Sequence, residues 1–97
     1  MNLKTAINQP SASIVDVRES FEYFFGHVKG AKNIPLSSLP SRIEEFKQMD
    51  QPIILYCRSG NRSGQATAFL KANGIKNVFN GGSLGDVKAM LEEKVNV

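Results

Sequence analysis

The sequence lacks a second cysteine, a long apolar run and any block of like charge, and each absence removes a class of function. A single thiol, Cys57, excludes an internal disulfide, a CxxC redox pair and a multi-thiolate metal site. Any chemistry at that sulfur has to be completed by an outside thiol or small molecule. No stretch approaches the roughly 20 apolar residues of a membrane helix, and the opening Met1-Asn2-Leu3-Lys4-Thr5 has no continuous apolar middle like that of a signal peptide. The expected location is the cytoplasm, without membrane contact. The net charge of +3 is spread along the chain with no run of five like charges, so nucleic acid is not an expected partner. At 97 residues without repeat or low-complexity tract, the chain has room for one domain over residues 1–97 and none for a second.

What is present is an alternation of strand and helix. Ser13 to Val17 and Ile53 to Tyr56 are short apolar runs that do not alternate with polar residues, which predicts strands covered on both faces, as in a parallel sheet. Ala31 to Ile34 and Asn77 to Phe79 are shorter strand candidates. A helix is expected over Ser20 to Phe25, closed by Gly26. Two more are expected over Leu39 to Met49, with capping-box spacing at Ser41 and Glu44, and over Asn61 to Asn73, stopped by Gly74. A last helix starts near Ser83, with Asp86 three residues on and Val87, Met90 and Leu91 on one face. Phe21, Tyr23, Phe24 and Phe25 have helical spacing, and most of them are expected in the core. The order implies an α/β sandwich around a mostly parallel sheet, whose site lies outside the carboxyl ends of the strands.

Cys57 stands where the second apolar run ends, followed by Arg58-Ser59-Gly60-Asn61-Arg62-Ser63-Gly64 and then at once by a helix. In that arrangement the N–H groups of residues 58–63 can curve around the sulfur while the helix points its partly positive end at it. Gly60 permits the tight backbone, Ser63 is placed to cap the helix, and Arg58 and Arg62 add positive charge. Such surroundings can lower a cysteine pKa from about 8.5 into the range of roughly 3.5–7.5. Alone, Cys57 would read as a small buried apolar residue; strand end, glycine loop, two arginines and immediate helix together make it a candidate nucleophile.

These residues resemble the rhodanese family. Asp16-Val17-Arg18-Glu19, Phe21-Glu22-Tyr23, Gly26-His27-Val28-Lys29-Gly30-Ala31 and Asn33-Ile34-Pro35 look like its N-terminal signature, Cys57 to Ser63 like its active-site loop, and Asn80-Gly81-Gly82 like the turn before its last helix. The resemblance implies a small rhodanese-like sandwich and a sulfurtransferase. Cys57 would take the outer sulfur of thiosulfate or a similar donor as a persulfide and pass it to cyanide, a thiol or a protein acceptor, with no metal or organic cofactor. Residues 58 to 63 would bind the donor, Asp16 and Arg18 would brace the loop, and His27 would hold its turn by hydrogen bonds. Arg58 directly after the cysteine resembles thiosulfate-preferring members.

The sequence departs from the family pattern at both ends. Only Met1 to Ala12 precede the signature, so the usual first strand is expected to be missing, with Leu3 to Ile7 packing as a short helix, which leaves four core strands, five at most, with an exposed edge and a monomer or weak dimer. The usual aromatic after Gly-Gly is also absent. A sulfur-carrier module serving a protein partner is the alternative reading. A cysteine phosphatase or arsenate reductase is disfavoured by the four residues between Cys57 and Arg62, where phosphatases place five, and by the absence of a second thiol. A non-catalytic interaction domain is disfavoured because the cysteine is kept.

Overall fold

Each apolar run becomes a strand with both faces covered. In the computed structural model, which describes residues 1–95, Ser13–Asp16 (β1) and Ile53–Cys57 (β3) run parallel and adjacent. Lys32–Asn33 (β2) lies outside β1 and Val78–Ser83 (β4) outside β3, giving one parallel four-stranded sheet of order β2-β1-β3-β4. All five residues of β3 are buried. Successive side chains of a strand point to opposite faces. Ile53, Leu55 and Cys57 therefore join one core, with Val15, Leu39, Phe46, Ala66 and Leu70, while Ile54 and Tyr56 join another, with Ala6, Ile7, Val28 and Val87. The helices supply the outer layers: Leu3–Ile7 (α1) and Leu84–Val95 (α5) belong to the second core, Ile43–Gln48 (α3) and Asn61–Ala72 (α4) to the first. The α/β sandwich and its four strands agree with the sequence reading.

Three local expectations are corrected. The helix expected over Leu39 to Met49 is a 3-10 segment, Leu36–Arg42, followed by the short α3. Pro40 has no N–H to continue an α ladder, and Ser41 Oγ donates to the Ser38 carbonyl at 3.0 Å instead of capping. β4 runs further than Asn77 to Phe79 because Gly81 forms a bulge: Leu55 faces Asn80, Tyr56 faces Gly82, and Gly81 is the extra residue. A Cβ there would lie 2.9 Å from Val87 Cγ2 and 3.2 Å from the Leu55 carbonyl oxygen, so only glycine fits without rearrangement. The third correction concerns Ser20–Phe25 (α2), which buries none of its residues and exposes Phe21, Phe24 and Phe25 by 64%, 81% and 85%. Helical spacing reports that residues share a face, not which face is covered. This helix is held by polar anchors: Tyr23 donates its hydroxyl to the Ala31 carbonyl at 2.6 Å, and Glu22 pairs with Arg62.

The last helix starts as expected. The Ser83 N–H donates to Asp86 Oδ2 and the Asp86 N–H to Ser83 Oγ, both at 3.0 Å, a reciprocal cap. No helix among the described residues is long and apolar enough to cross a membrane.

Candidate active site

Cys57 is the last residue of β3, and α4 begins four residues later, so the intervening turn must reverse the chain within Arg58-Ser59-Gly60. Gly60 achieves this with φ of 91°, a left-handed conformation that favours glycine. A Cβ on it would sit 3.3 Å from Gly82 Cα, so the turn also presses against the β4 bulge. The Gly60 N–H then points at the buried sulfur, donating to Cys57 Sγ at 3.0 Å. Burial is the largest single influence on this thiol and pushes its pKa up. The Ser63 hydroxyl and the N–H groups of Ser63, Ser59 and Gly60 together outweigh it and bring the thiol below its ordinary value.

Ser63 does not cap α4. Gly60 occupies the cap position, and Ser63, the third helical residue, is buried with its Oγ 3.4 Å from Cys57 Sγ and 2.7 Å from Asn80 Oδ1. Asn80 is the residue the sequence reading missed, having counted Asn80-Gly81-Gly82 only as a turn. Its Oδ1 also accepts the Gly82 N–H at 3.0 Å, and its Nδ2 donates to the Gly60 carbonyl at 3.0 Å, so one amide ties loop, helix and bulge together. Strand alternation was the available signal: Val78 shares the core of Cys57, so Asn80, two residues on, falls on the same face.

The two arginines separate. Arg62 gives its fork to Glu22, Nη1 to Oε1 at 2.7 Å and Nη2 to Oε2 at 3.0 Å. Those hydrogen bonds hold the Glu22 carboxyl down at about 2. Arg58 is exposed and makes no ion pair among the described residues. Of the expected donor-binding loop, Ser59 and Gly60 bring N–H groups to the sulfur, Ser63 brings both N–H and hydroxyl, and Asn61 opens the helix on the exposed side.

Behind the loop, Asp16 and Arg18 form a buried pair. Arg18 Nε lies 3.0 Å from both carboxylate oxygens and Nη2 2.7 Å from Oδ2, while Nη2 also donates to the Gly26 carbonyl at 2.6 Å. The guanidinium stands 5.8 Å over the Tyr56 ring, whose hydroxyl accepts the Val28 N–H at 3.0 Å. Burial, with Asp16 alongside, pushes the Tyr56 phenol far above its ordinary value, so it stays neutral. The residue preceding Cys57 is thereby fixed from both ends. His27 stacks on Tyr23 at 3.7 Å, with Nδ1 2.9 Å from the Tyr23 carbonyl oxygen, which keeps it in the turn. A cavity of about 410 Å³ lined by Ser13, Ile14, Lys29 and Lys32 is at the amino end of β1, remote from the sulfur at the carboxyl end of β3.

This arrangement, a recessed thiol met by amides of the loop and helix start and followed in sequence by the exposed Arg58, suits holding an anion at the sulfur. Comparison with known proteins gives the family. The sequence model of the family described as Rhodanese-like domain matches residues 2–84. Protein YqhL of Bacillus subtilis (strain 168) is 45% identical over 69 residues, 71% of this chain and 54% of its own length. A tRNA uridine(34) hydroxylase of Buchnera aphidicola is 32% identical over 85 residues, 80% of this chain and 27% of its own length. The chain thus spans about half of one relative and about a quarter of the other. A structure of an E. coli rhodanese with anions superposes with a TM-score of 0.71 at 37% identity, covering 77% of this chain and 89% of that one.

Proposed function

The chain belongs to the rhodanese-like domain family, and from that membership we propose that it is a sulfurtransferase working through a persulfide on Cys57. The donor is thiosulfate or a compound like it. The Cys57 thiolate attacks the outer sulfur, a bond forms between Sγ and that sulfur, the donor's S–S bond breaks, and sulfite leaves with the electron pair. An acceptor thiolate or cyanide then attacks the terminal sulfur, carries it away and returns Cys57 as thiolate. The amides of Ser59, Gly60 and Ser63 stabilise the anion at each stage, and they are in place before reaction, so no reorganisation is needed. Arg58, which makes no ion pair among the described residues, meets the oxyanion end of the donor; Arg62, held by Glu22, fixes the start of α4. Asp16, Arg18 and His27 hold the turn behind the loop. The tRNA substrate of the hydroxylase relatives is not carried over, because the chain covers only 27% of that relative.

The observation that carries this reading is the 3.0 Å hydrogen bond from the Gly60 amide to the sulfur of the chain's only cysteine, with the thiol shifted toward ionisation. The test is intact mass spectrometry after exposure to thiosulfate. The expected result is a gain of one sulfur atom that a reductant removes and that Cys57→Ser abolishes. An unmodified wild-type chain with every sulfane donor tried would sink the reading.

A second reading, a carrier that hands its persulfide to a protein, is favoured by the way YqhL and the tRNA hydroxylase hold this domain within longer chains. Steady-state turnover of thiosulfate with cyanide, compared with persulfide transfer to a protein thiol, separates the two.

A further inference from the structure

The hydroxyl of Ser63 has one hydrogen and two claimants. Its oxygen is 2.7 Å from Asn80 Oδ1 and 3.4 Å from Cys57 Sγ, and both contacts cannot be donated at once. The orientation of the Asn80 amide is not free to resolve the conflict. The Gly82 N–H needs an acceptor, which must be Oδ1, and the atom 3.0 Å from the Gly60 carbonyl, which already accepts the Gly64 N–H, must be Nδ2 because a second oxygen there would repel it. Asn80 therefore presents only an acceptor to Ser63. With Cys57 protonated, the consistent arrangement is a relay, with the thiol donating to Ser63 Oγ and the hydroxyl donating to Asn80. When the thiol proton leaves to solvent, Ser63 must turn its hydrogen to the sulfur anion, and the shorter bond to Asn80 is given up.

We propose that Asn80 is a positioning residue that competes with Cys57 for the Ser63 proton, holding it from the empty thiol and yielding it only to the sulfur anion. The role has room to exist because Gly64 lacks a side chain: a Cβ there would lie 3.3 Å from Asn80 Nδ2. The charged groups around the sulfur do not take part in this competition. Arg62 of α4 feels the thiolate charge but is clasped by Glu22 of α2; Arg58 is exposed; Asp86 of α5 is held by the Ser83 N–H. None of them bonds to the Ser63 hydroxyl or the Asn80 amide among the described residues. Asn80 itself is exposed, so its replacement removes no core packing.

Asn80 bears on catalysis only if Cys57 is the sulfur-accepting nucleophile of the reading above, but its effect on the thiol is measurable without any sulfur donor. The experiment is a titration of thiolate ultraviolet absorbance, unambiguous because the chain has one cysteine. It uses wild type, Asn80→Ala, Ser63→Ala and the double variant, with Asn80→Leu as a side chain of similar size in case alanine loosens the loop. Removing the competitor in Asn80→Ala or Asn80→Leu is expected to lower the Cys57 inflection by about half a pH unit to one unit, the scale of one neutral hydrogen bond. Ser63→Ala is expected to raise it, and adding an Asn80 substitution to Ser63→Ala is expected to change nothing further. An Asn80 variant that raises the inflection or leaves it unmoved overturns the proposal. So does a shift of equal size with and without the Ser63 hydroxyl, since Asn80 would then act through the loop backbone alone. Failure of sulfur loading with this pattern intact would count against the sulfurtransferase reading and not against Asn80.

Discussion

Burial and hydrogen bonding pull the Cys57 sulfur in opposite directions, and the number of donors decides the outcome. Desolvation is the largest single influence and favours the neutral thiol; one hydroxyl and three amides, aimed at the sulfur by a single turn, together exceed it. The thiolate absorbance should therefore rise with an inflection below that of the same cysteine in the unfolded chain, and the rate of sulfur loading from thiosulfate should follow the same curve to a plateau. The folded-state pKa is the depressed one. Ionised Cys57 therefore contributes stability that is fully present above the unfolded value and is lost as pH falls through the folded one. Urea unfolding across that window should show the stability difference between wild type and Cys57→Ala changing with pH, and a pH-independent difference would mean the thiol is not perturbed.

At the scale of elements, α2 has an inverted polarity. Its phenylalanines face solvent, and it is fastened by Glu22 and Tyr23. Phe24→Ser and Phe25→Ser should each change unfolding free energy by no more than about 0.5 kcal/mol, as for ordinary surface positions; a loss of several kcal/mol would mean the face is covered. The Glu22–Arg62 clasp joins α2 to the start of α4. Arg62 depresses the Glu22 pKa to about 2, so the clasp contributes stability above the unfolded carboxyl value of about 4.3 and loses it as pH falls toward about 2. A side-chain NMR titration of Glu22 should show that low midpoint, whereas one near four would show no pair. The β4 bulge behaves differently, because Gly81 is enclosed by Val87, Ile54 and the Leu55 carbonyl. Gly81→Ala should cost about 1–3 kcal/mol by overpacking, read from urea unfolding.

For the whole molecule, β3 is the shared wall of two cores, with Leu55 on one face and Tyr56 on the other. Leu55→Ala should cost about 2–5 kcal/mol in urea unfolding, the range for a leucine truncated in a packed core. This much was legible in advance: a five-residue apolar run without alternation has to be covered on both faces, and a cysteine at its end, followed by a glycine turn and a helix, has to meet that helix's amides. The strands β1 and β3, the α4 boundaries within one residue, the Ser83–Asp86 cap and the place of Cys57 were all written in local pattern, because each depends on neighbours a few residues apart. Other features depended on partners far along the chain. Arg62 was taken by Glu22, 40 residues away, and Ser63 by Asn80, 17 away, while the phenylalanines of α2 stayed exposed. The sequence by itself determined where the one thiol sits and what local geometry surrounds it. Only the tertiary structure decided which side chains compete for that sulfur and which charges stay free, because a hydrogen bond donated to one partner is lost to every other and that choice is made by contacts between distant segments.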